Sequence, residues 1–100
     1  LFFCEYDKIM IVYDEAKRQA NLAKHGLDLA DAGLVYDAPN KITLCSPREG
    51  ESRLMDVAMV EIVGIVLVLV YVERDQDIRA ISLRRASKQE RKYYASLQQD

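Results

Sequence analysis

The segment IVLVLVYVERDQDIRAISLRR, residues 65–85, decides the fold. Its first part, residues 65–73, is an almost continuous run of Val, Ile and Leu, which is typical of a central strand that is covered on both faces. Asp75-Gln76-Asp77 is a tight polar turn. Residues 78–84 follow as another strand. The segment therefore predicts an antiparallel hairpin, around which the rest of the chain is arranged.

Two further strands are predicted ahead of this hairpin, at residues 42–45 and 53–60, with a loop over residues 46–50 between them. Glu61 to Gly64 provides the turn into the hairpin, although Ile62 and Val63 are unusually apolar for a turn. Residues 10–13 are short, apolar and β-branched, and they predict a first edge strand.

The N-terminal third carries helix signals. Asp14 is a good N-cap for a helix over residues 15–25, and Gly26 is a natural residue to end it. Asp28 can cap a second, shorter helix, which the sequence Asp-Ala-Pro-Asn at residues 37–40 breaks.

At the other end, Ser87 and Glu90 form a capping box that starts a last helix running to about Gln98. The order of helices, strands and helix predicts an α+β fold. We expect the N-terminal helices to pack on one face of an antiparallel β-meander sheet, followed by a C-terminal helix. The other face of the sheet would then be available for a site or a partner.

Length and composition indicate one globular domain. One hundred residues can bury a modest core, and half of them are hydrophobic while 30% are charged. We interpret residues 10–100 as this single domain and residues 1–9 as an N-terminal extension, because the readable pattern begins near Met10. The formal net charge of -2 counts against nucleic-acid binding, although residues 74–94 are richer in Lys and Arg than in acids.

The cysteines and the apolar segments exclude other classes of protein. Cys4 and Cys45 stand apart, without a CxxC motif or a Cys/His cluster, so we predict no metal site, no cofactor and a reduced protein in the cytoplasm. The apolar run over residues 62–72 is shorter than the roughly 20 residues of a membrane span. The N-terminal stretch carries acids and lacks the basic start of a signal peptide.

Four blocks of sequence resemble the BrnT toxin family, in the order and at the spacing of that family, and together they cover residues 10–94. In chain order the blocks are Tyr13-Asp14-Glu15-x-Lys17 with Asn21-Leu22-Ala23-Lys24-His25-Gly26, then Gly50-Glu51-x-Arg53, then Val70-Tyr71-x-Glu73-Arg74, and finally Arg79-x-Ile81-Ser82-x-Arg84-x-Ala86 with Glu90-Arg91 and Tyr94.

The resemblance implies a RelE-like fold and a ribonuclease toxin that inhibits translation and growth. It also implies a DNA-binding antitoxin of the BrnA type, in an assembly of two toxins with two antitoxins. Such a complex would contact its operator DNA only through the antitoxin, and the toxin itself would bind RNA and no membrane.

Metal-independent cleavage of RNA sets three chemical requirements. The 2′-hydroxyl must lose a proton, the phosphorane must be stabilised, and the leaving 5′-oxygen must gain a proton. Arginine suits the second task because its planar fork matches phosphate oxygens and it stays charged. Strict alternation along residues 78–85 divides the strand into two faces. The predicted open face carries Ile78, Ala80, Ser82 and Arg84. The predicted core face carries Arg79, Ile81, Leu83 and Arg85.

Arg84 is therefore the best single candidate for a catalytic residue, and Arg79 is a candidate for RNA binding at the edge of the core. Arg53 is a second catalytic candidate if its strand neighbours that of Arg84; otherwise it forms a surface salt bridge with Glu51 or Asp77. Arg74 either contacts RNA or forms a solvated ion pair with the acids beside it.

The remaining candidates each have a structural alternative. His25, the single histidine, can act as acid or base near neutral pH, or can cap the end of its helix. Lys24 beside it can contact phosphate or be solvated. Glu51 is a candidate catalytic base, whereas Glu90 is more readily explained by the capping box. Tyr94 is a catalytic candidate that can stack on a base or pass a proton, or it belongs to the core.

Three functions compete. A ribonuclease toxin requires clustered arginines on an exposed sheet face. A catalytically inactive module that binds the antitoxin and supports operator autoregulation would instead pair those arginines with acids. A stand-alone structural subunit explains the apolar strands but not the polar blocks. For the first two, acidic or apolar segments of an antitoxin are expected to cover the open face.

Overall fold

The computed structural model describes residues 9–48 and 51–98, without the side chains of residues 46–48 and 51. Its elements in chain order are β1 (Met10–Val12), α1 (Glu15–His25), a 3-10 turn (Leu29–Asp31), α2 (Gly33–Tyr36), β2 (Ile42–Arg48), β3 (Glu51–Val60), β4 (Ile65–Glu73), β5 (Asp77–Arg85) and α3 (Lys88–Leu97). The expected extension lies outside the described residues except for Ile9. In this described part, none of the helices is long and apolar enough to cross a membrane.

The α+β class is confirmed, and the strands of the described residues form one sheet in the order β1-β5-β4-β3-β2. Strands β2 to β5 pair antiparallel with their neighbours in the chain. Strand β1, however, pairs parallel with β5. The prediction of a purely antiparallel sheet is therefore wrong, and the sheet is mixed. The alternation of side chains reveals a strand but not its direction, and the long chain between β1 and β5 permits a parallel return.

Local signals position the N-terminal helices. The Asp14 carboxylate accepts a hydrogen bond from the Lys17 amide at 3.1 Å, and Gly26 ends α1 in the left-handed region with φ 70°, so both predicted ends are confirmed. Asp28 caps the next segment through the Ala30 amide at 2.9 Å. That segment is not one short helix but a 3-10 turn followed by α2, with Ala32 between them and Gly33, a poor helix former, as the first residue of α2.

One face of the sheet, which we call the covered face, packs against the 3-10 turn and α2. The buried residues of this core are Leu29, Ala32, Val35, Ala58, Val60, Leu67, Leu69, Tyr71, Ile78, Ala80 and Leu83. The opposite face, called the outer face, carries Val57, Val66 and Val68, which pack with Ala86 and with Tyr94 of α3. Helix α3 therefore covers part of the face that we expected to be open.

A β-bulge changes the alternation along β5. Val70 pairs with Ser82, but the next residue of β4, Tyr71, pairs with Ala80, so Ile81 is the extra residue. The predicted division of faces is wrong because strict alternation ignores this insertion. Arg79 lies on the outer face with Ser82 and Arg84, whereas Ile78 and Ala80 join Leu83 on the covered face.

The expected loop over residues 46–50 is shorter than predicted, because β2 runs through Arg48, whose backbone pairs with that of Glu51. Strand β2 forms an edge of the sheet. An edge position accommodates Pro47, since an edge strand does not require every amide to donate to a neighbour.

Candidate active site

Arg84 on β5 and Glu90 on α3 form a bidentate ion pair. Nη1 and Nη2 of Arg84 donate to the two carboxylate oxygens of Glu90 at 2.8 and 2.9 Å. The two side chains are 29% and 24% exposed, so water screens the pair only in part. The pair joins the outer face of the sheet to the first turn of α3.

Glu90 also completes the predicted capping box. Its carboxylate accepts a hydrogen bond from the Ser87 amide at 2.8 Å, while the Ser87 hydroxyl accepts from the Glu90 amide at 3.1 Å. The hydrogen bond from Arg84, and then that from Ser87, lower the pKa of Glu90 to about 2. A carboxylate with so low a pKa is a weak base at neutral pH, which supports the structural interpretation of Glu90.

Arg84 retains capacity to bind an anion although it is paired. A guanidinium has five N–H donors. Two point at Glu90, and Nη1 also donates to the Arg85 carbonyl at 3.3 Å. Within the described residues, this leaves Nε–H and one N–H of Nη2, which together form a second fork of the kind that binds phosphate.

His25 lies at the end of α1, within electrostatic range of Arg84. Burial lowers the pKa of His25 below its ordinary 6.5, and the positive charges of Lys24 and Arg84 lower it further. The imidazole is therefore neutral near pH 7 and able to accept a proton. Of the predicted site residues, His25 and Arg84 therefore lie in one region of the structure, and Lys24 adjoins His25 in the chain.

Asn21 explains why these residues meet. Its side chain is buried, accepts a hydrogen bond from the Leu83 amide at 3.0 Å and donates to the Leu83 carbonyl at 2.9 Å. It donates as well to the Leu27 carbonyl at 2.8 Å. The side-chain amide of Asn21 thus makes the hydrogen bonds that a neighbouring strand would make to β5, and it holds the end of α1 beside Arg84. Asn21 belongs to one of the sequence blocks, but this role was not predicted; the available signal was an asparagine inside a helix, where that residue is unfavourable.

Arg53 and Arg84 do not converge as expected. Strand β4 lies between β3 and β5, so their strands are not neighbours. Arg53 precedes Leu54, whose partner is Tyr71, and this register places Arg53 in one row with Val72 and Arg79. Arg53 and Arg79 are thus two strand spacings apart, about 10 Å, whereas Arg84 lies a further four to five residues along the sheet. Arg79 is the closer neighbour of Arg53.

The other candidates lie elsewhere. Tyr94 is buried; its hydroxyl donates to the Asn40 carbonyl at 3.1 Å and accepts from the Met59 amide at 3.2 Å, so the structure supports its core interpretation. Arg74 is exposed in the turn between β4 and β5, where its amide donates to the Asp77 carbonyl at 2.8 Å. The side chain of Glu51 lies outside the described residues.

A second polar cluster, missed by the sequence analysis, lies on the covered face around the fully buried carboxylate of Asp56. This carboxylate accepts hydrogen bonds from Lys41 at 2.7 Å, Thr43 at 2.6 Å and Tyr71 at 3.0 Å. The Lys41 ammonium also lies 4.2 Å from the ring centroid of Tyr36. Burial and the charge of Asp56 raise the pKa of Tyr71. The cluster satisfies its own polar atoms and joins β2, β3 and β4, so we assign it a structural role.

The fold and this site together define a small α+β protein with a cationic, histidine-containing site where the end of α1 packs beside the part of β5 that extends beyond β1 in a mixed sheet. A family model described as ribonuclease toxin, BrnT, of type II toxin–antitoxin system matches residues 13–90. The chain belongs to this BrnT family, and the resemblance recognised from the sequence blocks is confirmed.

A solved structure supports the same assignment. The crystal structure of the Brucella abortus ribonuclease toxin BrnT is similar to this chain with a TM-score of 0.61 and 30% sequence identity, and the match covers 81% of this chain and 100% of that one. No curated protein matches the sequence.

Proposed function

We propose that this chain is a metal-independent endoribonuclease, the toxin of a type II toxin–antitoxin pair, with Arg84 and His25 at its active centre. The observation that carries the proposal is that a neutral histidine lies in the same region as an arginine whose Nε and second Nη2 donors remain available, beside the part of β5 that extends beyond β1. Membership of a family of ribonuclease toxins supports the same activity.

In this mechanism the phosphodiester binds to the Nε and Nη2 fork of Arg84. Neutral His25 takes the proton of the 2′-hydroxyl, whose oxygen then attacks the adjacent phosphorus. Arg84 stabilises the charge that develops on the phosphorane. The bond to the 5′-oxygen breaks, that oxygen takes a proton from water, and the product carries a 2′,3′-cyclic phosphate. Because His25 supplies the general base and Arg84 supplies the positive charge that stabilises the phosphorane, no metal ion is required.

The outer face provides the path of the RNA in this proposal. Arg79 and Arg53 lie in one row of that face, remote from Arg84, and we assign both to binding of the RNA backbone rather than to chemistry. Lys24, exposed beside His25, contributes to the same electrostatic attraction. Arg74 remains a candidate for RNA binding at the turn, and Glu51 remains a candidate base.

The partners and the setting follow from the family in the same proposal. The fold is RelE-like, the toxin acts in the cytoplasm and inhibits translation, and a BrnA-like DNA-binding antitoxin neutralises it. Two toxins and two antitoxins assemble, and only the antitoxin contacts operator DNA. Acidic or apolar antitoxin segments over the outer face would shield its arginines.

One observation favours the second function, a catalytically inactive module that binds the antitoxin. Arg84, the central arginine, is paired with an acid, as that alternative requires. Induced expression of the chain separates the two functions, with growth and total RNA as the readouts. Growth arrest and RNA degradation that Arg84→Ala abolishes support the ribonuclease. Intact RNA and normal growth at a confirmed soluble level of the parent protein would support the binding module.

A further inference from the structure

The turn between β3 and β4 exposes apolar side chains. Ile62 is 79% exposed and Val63 is 51% exposed, whereas turns ordinarily carry polar residues. The turn is well defined, since the Val63 and Gly64 amides both donate to the Val60 carbonyl, at 3.1 and 2.7 Å. Gly64 has φ 71°, the left-handed conformation that closes such a turn. The turn therefore holds two aliphatic side chains in solvent at a fixed place.

This turn forms one wall of a groove of about 670 Å³, whose other wall is made by the 3-10 turn, α2 and the residues that follow α2. Leu34 on α2 and Met59 on β3 line it, and both are large hydrophobic side chains with substantial exposure. Burying these side chains against another protein would remove their apolar surface from water.

The charge of the groove is acidic. Asp31, Asp37 and Glu61 lie among its lining residues, and all three are exposed. Among the described residues, no lysine, arginine or histidine lines it. A groove lined by exposed apolar and acidic side chains is complementary to a segment with aliphatic and basic side chains.

The groove and the candidate active site share no residue. The groove lies beside α2 and the β3–β4 turn, whereas Arg84 and Glu90 lie where the outer face meets α3. An occupant of the groove therefore need not touch the catalytic residues, and mutations in the groove can be tested apart from the ribonuclease activity.

We propose that this groove docks a cationic amphipathic segment of a protein partner, whose aliphatic side chains pack on Leu34, Met59 and Ile62 while its Lys or Arg side chains pair with Asp31, Asp37 and Glu61. The antitoxin that the family implies is the partner to which we assign this segment. This contact is separate from the acidic or apolar segment proposed over the outer face. It prefers a basic segment rather than an acidic one, and it does not depend on catalysis.

A labelled amphipathic peptide of about 18 residues, with Leu on one helical face and Lys on the other, provides the probe. Its counterpart carries Glu in place of Lys, and binding to the full chain is measured by fluorescence anisotropy. We expect the Lys peptide to bind more tightly than the Glu peptide, and the difference to shrink as salt rises from about 0.05 to 0.5 M. The double variant Leu34→Ser with Ile62→Ser should weaken binding about tenfold or more, as loss of an anchor does.

Matched controls distinguish binding at the groove from nonspecific hydrophobic or electrostatic binding elsewhere on the protein. Leu97→Ser removes an exposed leucine of α3, and Asp75→Asn removes an acid of the β4–β5 turn; both should bind as the parent does. Glu61→Gln should weaken only the Lys peptide. Equal binding by the parent and the Leu34/Ile62 variant, or preference for the Glu peptide, would overturn the proposal. So would a concentration-dependent dimer that Ile62→Ser abolishes, because the groove would then hold a second copy of the chain.

Discussion

Asn21 and Leu83 are joined by two hydrogen bonds, one in each direction between a side-chain amide and a backbone peptide group. The contact links α1 to the edge of β5 over a sequence separation of 62 residues. Leu83 precedes Arg84, and the same Asn21 amide donates to Leu27 just beyond His25. The geometry of the proposed active centre therefore depends on one buried amide.

Asn21→Ala should lower the free energy of unfolding by about 2 to 4 kcal/mol, because it leaves both backbone groups of Leu83 without a partner in a buried place. Urea unfolding measures the change. Gln19→Ala, at an exposed position of the same helix, is the control and should change the free energy by less than about 0.5 kcal/mol. Equal stability of the two variants would contradict the role given to Asn21.

Glu90→Gln should remove part of the acid sensitivity of folding. The folded pKa of Glu90 is lowered to about 2 from its ordinary 4.5, so its contribution to stability is full above pH 4.5 and is lost as pH falls towards 2. Because the pair is partly exposed, we expect a loss of about 1 kcal/mol at pH 7 and little difference near pH 2. Denaturant unfolding across this range tests the prediction, and a loss that is independent of pH would refute it.

Lys41→Met should cost about 3 kcal/mol of stability, because it leaves the buried carboxylate of Asp56 without its counter-charge. Adding Asp56→Asn to Lys41→Met should recover part of that loss, since the buried charge is then gone. Thermal or urea unfolding of both single variants and the double variant measures the coupling. Additive losses would show that the two residues do not interact.

The pH dependence of RNA cleavage should reflect His25. Its pKa is lowered below 6.5, so the fraction of neutral imidazole, and with it kcat/KM, should fall only below pH 6.5 as the solution is made more acidic. His25→Gln should lower kcat/KM by about 100-fold or more and abolish this acidic limb. A variant that keeps the parental profile would show that His25 only caps α1.

Local features of the fold were predictable from the sequence, and long-range ones were not. The ends of α1 and the capping box of α3 depend on residues within a few positions of each other, and they were predicted correctly. The direction of β1 and the extra residue Ile81 depend on pairing between distant segments, which a pattern along one strand does not encode.

The candidate site shows the same division. Arg84 was selected among the arginines by alternation along its strand and His25 by the chemistry of its imidazole, and the structure places the two in one region. The prediction for Arg53 was wrong because its strand and the strand of Arg84 were expected to be neighbours, whereas β4 lies between them. Tyr94 was ambiguous in the sequence, since a helical tyrosine can face either solvent or core, and only the packing of α3 on the sheet decides. The catalytic roles themselves stay predictions.

Cleavage of a defined RNA by the purified chain tests the central claim most directly. The parent, Arg84→Lys and Arg85→Ala would be compared in the presence of EDTA, with the ends of the products identified. Arg85, the exposed residue next in β5, is the matched control because it points to the other side of the sheet. We predict that the parent and Arg85→Ala produce 2′,3′-cyclic phosphate ends, and that Arg84→Lys, which lacks the guanidinium fork, is slower by about 100-fold. Intact RNA with the folded parent, or equal cleavage by Arg84→Lys, would contradict the account.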